Sequence, residues 1–272
     1  MSSGADLFGL AGEVAVVTGA LGNLGPVFCE ALLERGASVL ATDLEGRAPS
    51  ARFAAVRERF AEDRLVVTPM DITERRSLTD ALALCRERLG TPSVLVNNAG
   101  IDQPPRVMKT HRLEDVPLEL ASAVFNVNAL GTFQAMQVFG GEMAARGKGS
   151  IINIGSAYAT AVPDPRYYDH LPTDPPFIKP PAYGASKAAV LNLTRYFAVH
   201  LAPRGVRVNA LSPGHVAGDQ DETFKAKIRA RIPLGAQAKP EDLKGALVFL
   251  SAEASRYVTG VNLEVAGGFH LW

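Results

Sequence analysis

The chain has 272 residues, 47% of them apolar, and its 28 acidic and 28 basic side chains cancel. That length suits one large α/β domain, and the apolar fraction fills a core, which excludes a disordered chain. Zero net charge gives no electrostatic footing for nucleic acid or an anionic membrane. The opening Met1-Ser2-Ser3-Gly4-Ala5-Asp6 lacks the charged and apolar regions of a signal peptide, and no apolar stretch reaches membrane-spanning length. Cys29 and Cys85 show no metal-ligand spacing. A soluble cytoplasmic protein without a metal site is expected.

Short apolar runs alternate with longer amphipathic segments. Val14 to Val17 reads as a buried strand, and Pro26 to Arg35 as a helix stopped by Gly36. Strand Ser38 to Thr42, helix Ala51 to Phe60, strand Leu65 to Thr68, helix Leu78 to Leu89 and strand Ser93 to Val96 follow. One helical stretch from about Leu118 to Ala145 precedes a strand at Ser150 to Ile154. Helix Ala182 to Leu201, strand Val206 to Leu211, two helical pieces and strand Val261 to Val265 complete the chain. Repeated β-α-β units with apolar strands predict one doubly wound parallel sheet of about seven strands, Rossmann-type, with helices on both faces. No linker divides it, so residues 1–272 read as a single domain.

After the first strand, Thr18-Gly19-Ala20-Leu21-Gly22-Asn23-Leu24-Gly25 leads directly into a helix. Glycines let the backbone turn tightly against a pyrophosphate, and the helix amino terminus offers free N–H groups and a positive dipole end. Asp43 ends the next strand, where a carboxylate accepts hydrogen bonds from both adenosine ribose hydroxyls and repels a 2′-phosphate. No Arg or Lys lies within the glycine turn; Arg47 is close to Asp43 in sequence. The pattern predicts NAD rather than NADP.

Tyr183 and Lys187, four apart in Ala182-Tyr183-Gly184-Ala185-Ser186-Lys187, share one face of the predicted helix. An ammonium about 5 Å from a phenol, at an effective dielectric of about 20, favours the phenolate by roughly 3 kcal/mol, or about two pKa units. Tyr183 is therefore the expected acid/base and Lys187 the residue lowering its pKa.

Thr18 to Gly25, Asp71, Asn97-Asn98-Ala99-Gly100, Asn128, Ser156, Tyr183, Lys187 and Pro213-Gly214 occur in the order found in short-chain dehydrogenases/reductases, which the chain resembles over essentially its whole length. The resemblance implies that Gly19, Asn23, Leu24 and Gly25 cradle the cofactor and that Asp71 and Ile72 flank its adenine. It implies that Asn98, Ala99 and Gly100 pack beside it, that Pro213, Gly214 and Val216 hold the nicotinamide end, and that Lys187 bonds the nicotinamide ribose. Ser156 would orient the substrate oxygen. Asn128 would anchor a water joining the lysine to solvent. Two positions depart from the pattern. Asn23 replaces a glycine, which left-handed backbone angles at Asn would accommodate, and Gly218 replaces a threonine that contacts the carboxamide.

Residues 157–181 contain seven prolines and interrupt the β-α rhythm. They lengthen the Ser156-to-Tyr183 interval to about twice that common in the family. With Tyr158 and Tyr168 in this segment, and His215 after Pro213-Gly214, they are expected to wall the substrate site and resemble a subgroup acting on sugars, sugar acids or polyols. Carboxylates in the insertion would disfavour an anionic substrate. The expectation is an NAD-dependent alcohol dehydrogenase working mainly in the oxidative direction; the alternatives are a 3-oxoacyl thioester reductase and a non-catalytic NAD(H)-sensing regulator. Family resemblance also implies a homotetramer, with contacts on the helices of Asn128 and Tyr183 and near Phe269, Leu271 and Trp272.

Overall fold

The computed structural model describes residues 6–105 and 109–271; Trp272 lies outside them. Strands β1 (Val14–Thr18), β2 (Ser38–Asp43), β3 (Leu65–Pro69), β4 (Val94–Asn97), β5 (Gly149–Ile154), β6 (Val206–Pro213) and β7 (Asn262–Val265) form one sheet in the order β3-β2-β1-β4-β5-β6-β7. All pairings are parallel. Side-chain alternation divides each strand between two cores. Ala15, Val17, Val39, Ala41, Ile152 and Ile154 join one cluster, and Val14, Val16, Leu40, Leu95 and Ile151 the other.

Helices α1 (Gly25–Glu34), α2 (Ala51–Arg59) and α8 (Lys244–Ser251) cover the first face, where Phe28, Leu32, Phe53, Leu247 and Leu250 are buried. On the second face lie α3 (Arg75–Arg88), α5 (Thr132–Arg146) and α6 (Pro181–Leu201), through Leu78, Met136, Phe139, Ala198 and Leu201. Burial on both sides is why the strands read as unbroken apolar runs. Every predicted strand is present, with ends shifted by at most two residues. Helix α3 starts three residues before the predicted Leu78, because its first turn, Arg75-Arg76-Ser77, is polar and carries no apolar period.

The stretch predicted as one helix is three elements. Helix α4 (Leu118–Phe125) passes through a π-helical turn, Asn126–Gly131, into α5. The turn widens the backbone around Asn128, whose main-chain oxygen accepts from Thr132 Oγ1 at 2.8 Å and whose side chain reaches across to Ile101. Tertiary bonding of one buried amide outweighs regular helical spacing here, as is common for π turns near functional sites.

Residues 157–181 lack long regular elements yet are packed. Tyr167, Tyr168 and Phe177 are buried with Phe224 and Ile228 of α7 (Glu222–Arg229), Ile232 and Phe269 in a third cluster. Phe269, expected near a subunit contact, is only 2% exposed and belongs to this core, whereas Leu271 is 68% exposed.

Candidate active site

Strands β1 and β4 are neighbours whose chain connections depart in opposite directions, so a crevice opens beyond their carboxyl ends. Thr18 closes its floor: Oγ1 accepts from the backbone N–H of Asn98 at 3.0 Å and of Ala99 at 2.9 Å. The Asn98 amide donates to the Thr18 and Gly19 carbonyls at 3.0 and 2.9 Å. Gly19 has φ +63°, and a Cβ there would lie 2.8 Å from the Ala99 Cα. A Cβ on Gly25 would lie 2.5 Å from the Ala20 Cα and collide with the Gly19 carbonyl. Both positions require glycine. Asn23 does not use the left-handed freedom expected of it, since no described residue other than glycine has positive φ.

The Asp43 carboxylate ties the end of β2 to this turn, accepting from Leu21 N at 3.0 Å and Leu44 N at 2.9 Å. Asp71 is partly occupied: Oδ1 accepts from the N–H and hydroxyl of Thr73 at 2.8 and 2.7 Å. Ile72 is 6% exposed and packs under Gly131, in contact with the second core. Gly218 N donates to Gln220 Oε1, and Gln220 in turn donates to Val216 O, so a side chain braces this backbone where a threonine was expected.

A cavity of about 200 Å³ continues from the glycine turn, lined by Leu24, Asn98, Gly100, Ile101, Asp102, Ile154, Gly155, Ser156, Tyr183, Lys187, Pro213, Gly214 and Val216. Ser156 follows β5 in extended conformation, its Oγ accepting from Tyr158 N at 3.1 Å. Tyr183 and Lys187 project from the first turns of α6. Lys187 is 6% exposed, and its Nζ donates to Ile154 O at 2.8 Å. Asn128 is buried behind this wall. Its Oδ1 accepts from Ile101 N at 2.8 Å, and its Nδ2 donates to Ile101 O and Ser186 Oγ, both at 3.1 Å. A larger cleft of about 620 Å³ lies at the opposite ends of the strands, among Glu13, Ser93, Lys148 and Arg207. Within it Lys148 pairs with Glu13 and Arg207 donates to backbone carbonyls.

The protein alone holds Tyr183 in its phenol form. Burial raises its pKa, Asp102 raises it further, and the Ser156 side chain acts in the opposite direction. Lys187 is pushed down to about 8, again by burial, with Asp102 opposing. The sequence expectation has Lys187 depressing the tyrosine; in the protein alone, desolvation of the half-buried ring acts in the opposite direction, and the lysine head is engaged with the Ile154 carbonyl.

Tyr158, Tyr168 and His215 do not line the cavity. Tyr168 is 5% exposed, its ring 4.9 Å from Phe177 and 5.5 Å from Phe224. His215 packs edge-on against Phe269 at 4.7 Å and Tyr158 at 5.3 Å, behind Gly214. Two residues absent from the sequence reading stand closer. Asp102 follows Asn98-Ala99-Gly100-Ile101 and lines the cavity. Lys179, from the insertion, places its Nζ 4.8 Å from the centre of the Tyr183 ring. Proximity to a motif could have flagged Asp102; no spacing distinguishes Lys179 within its proline-rich surroundings. Among the described residues no group of three or more His, Cys, Asp or Glu forms a metal site, and no helix is long and apolar enough to cross a membrane.

A family model described as "Enoyl-(Acyl carrier protein) reductase" matches residues 19–270. Galactitol 2-dehydrogenase (L-tagatose-forming) of Cereibacter sphaeroides is 35% identical over 278 aligned positions, covering 98% of each chain. The chain belongs to the short-chain dehydrogenase/reductase family. It is an NAD(P)-dependent oxidoreductase acting on CH–OH groups, with the seven-stranded sheet of its relatives. A short-chain dehydrogenase from Leptospira borgpetersenii solved with bound NAD+ is 30% identical, with a TM-score of 0.83 over 96% of this chain and 94% of that one. A gluconate 5-dehydrogenase from Burkholderia cenocepacia, solved with NADP and tartrate, is 28% identical, with a TM-score of 0.83 over 98% of both chains. Members of this family thus carry either dinucleotide.

Proposed function

We propose that this short-chain dehydrogenase oxidises a secondary alcohol of a sugar, sugar acid or polyol to the ketone, with NAD as its cofactor. The observation that carries the reading is the convergence of Ser156, Tyr183 and Lys187 on the one cavity that the glycine turn enters. The residues present fit a dinucleotide. Gly19 and Gly25 let the turn fold tightly against Ala99 and Ala20 at the start of α1, and Asp43 stands at the end of β2 to accept the ribose hydroxyls. The same carboxylate supports NAD over NADP, by repulsion of a 2′-phosphate.

Bound nicotinamide supplies the hydride acceptor. Ser156 orients the substrate hydroxyl, and the phenolate form of Tyr183 takes its proton as the carbinol carbon gives up hydride, leaving a C=O double bond. Lys187 holds positive charge beside the forming tyrosine and offers a donor to the nicotinamide ribose. Asn128 fixes Ile101 and Ser186 on either side of the lysine and so positions it. Because burial favours the phenol form of Tyr183 and oxidation needs the phenolate, oxidation runs faster as pH rises.

The acyl-carrier wording of the family model favours a second reading, reduction of 3-oxoacyl thioesters. Asp43 and the zero net charge support the first over it. Leu118, Leu130, Tyr196 and Val199 on α4–α6 are between 55% and 75% exposed. They support a homotetramer with contacts on these helices, which light scattering at micromolar concentration tests. Screening NAD+ and NADP+ reduction against polyols, aldonates and simple secondary alcohols, with 3-oxoacyl thioesters in the reverse direction, tests the activity.

A further inference from the structure

Two of the insertion's three acidic residues, expected to meet substrate, are committed elsewhere. Asp164 holds the Arg166 guanidinium and backbone, Asp169 pairs with Lys227, and His170 meets Asp221 at the start of α7. What the insertion presents to Tyr183 is Lys179. Its side chain is 7% exposed, and its Nζ lies 4.8 Å from the centre of the Tyr183 ring and 6.0 Å from that of Tyr158. Among the described residues its one oxygen partner is Asp102 Oδ1, at 2.5 Å. An ammonium carries three donor protons, so two remain without an oxygen acceptor. Asp102 is half exposed, lines the cavity together with Ser156 and Tyr183, and accepts no hydrogen bond on Oδ2 from the described residues.

We propose that Lys179 and Asp102 form a second oxygen-binding point beside the reacting centre, which selects a neutral polyol or ketose over the corresponding sugar acid. A hydroxyl both accepts and donates, and the pair offers one group of each kind: the Lys179 ammonium donates to the hydroxyl oxygen, and the hydroxyl proton goes to Asp102. The pair carries no net charge. A carboxylate in the same place would accept from Lys179 but face the Asp102 carboxylate in a confined cavity, where like charges are poorly screened. A substrate with a single hydroxyl leaves the pair unused. The inference rests on the proposed dehydrogenase activity and narrows its substrate class within it.

The test compares kcat/KM for xylitol, ribitol, D-arabinitol and galactitol, for the aldonates of matching configuration, and for 2-butanol, in the wild type and in Lys179→Met and Asp102→Asn. The best polyol should exceed its matching aldonate by at least about tenfold, as expected of a site built around a hydroxyl. Lys179→Met retains the aliphatic stem over Tyr183. It should lower the ratio of polyol to 2-butanol kcat/KM by at least about tenfold, mostly through KM, the loss expected for a hydrogen bond to a charged group. Asp102→Asn should narrow the gap between polyol and aldonate, because the repulsive charge is gone. Melting temperatures separate misfolding from recognition, and Asp102→Asn, at a half-exposed position, keeps the inference testable if Lys179→Met does not fold. Preference for the aldonate in the wild type would overturn the inference and leave the dehydrogenase reading standing, as would equal losses on polyol and 2-butanol in Lys179→Met. Turnover restricted to simple alcohols would overturn both the inference and the substrate class.

Discussion

On the cofactor side of the cleft, the shape is set by what is missing: side chains at Gly19 and Gly25 would strike Ala99, Ala20 and the turn's own carbonyl. On the substrate side, residues 157–181 reach their shape by filling space, with Tyr167, Tyr168 and Phe177 buried against α7 and Phe269. The first region is a backbone device that any relative binding a dinucleotide needs in the same form. The second is a local hydrophobic core whose surface can vary, and it delivers Lys179 to Tyr183 as a by-product of its packing. Binding chemistry common to a family is therefore written in local geometry, and substrate selection in tertiary contacts.

Gly25→Val is the harshest way to break the first region. The added side chain overlaps the backbone of Gly19 and Ala20 with nothing flexible to yield, so a loss of about 3 kcal/mol or more is expected, the upper range for overpacking. The melting temperature should fall sharply, and titration calorimetry should show no NAD binding by any folded remainder.

Replacing 157–181 by a Gly-Ser linker breaks the second region. Each buried aromatic lost forfeits about 1.5–3 kcal/mol, and Phe224, Ile228 and Phe269 become exposed. The melting temperature should drop by about 10 °C or more, on the scale of 2–4 °C per kcal/mol for a chain of this size. NAD affinity, set by the other region, should change far less than in Gly25→Val.

The contrast also explains what was legible. Strand and helix positions follow from apolar periodicity, the glycine turn, Asp43, Tyr183 and Lys187 from local chemistry, and Ser156 and the order of the motifs from the family resemblance. Three features had no such signal. The π turn at Asn128 depends on a bond to Ile101, 27 positions away. The burial of Tyr168 and Phe177 depends on α7, which no pattern in the insertion announces. Lys179 lies among prolines, and only the fold shows that its head reaches Asp102 rather than water.

Asp43→Ala sharpens the cofactor side. Losing a charged acceptor should weaken NAD binding about tenfold, at the low end for a hydrogen bond to an ionised group. NADP should lose less or gain, since the repulsion disappears too, and calorimetry with both cofactors reads the change. Tighter NADP binding by the wild type would contradict the NAD assignment.

The smallest effect expected is a pH-dependent one at the back of the aromatic cluster. Burial, aided by the Lys179 charge, holds the His215 imidazole down to about 4 from 6.5, and its Nε2 has no hydrogen-bond partner among the described residues. The unfolded chain takes up this proton near pH 6.5 and the folded protein only near pH 4, so stability falls as pH drops across that window. His215→Leu should remove this contribution, so that its melting temperature declines less between pH 6.5 and 4 than that of the wild type. An equal decline in both proteins would show that the ring is not buried as a neutral group.

The central claim is that Tyr183 moves the proton in a site that binds the dinucleotide independently of it. Its most direct test is Tyr183→Phe, assayed for kcat on the substrate found by screening and for NAD affinity by calorimetry. Turnover should fall by at least about 100-fold, the lower range for a positioned acid/base, and the rise of oxidation rate with pH should disappear from the residual activity, with NAD affinity within about threefold of the wild type. Near-normal turnover with an unchanged pH profile would contradict the account.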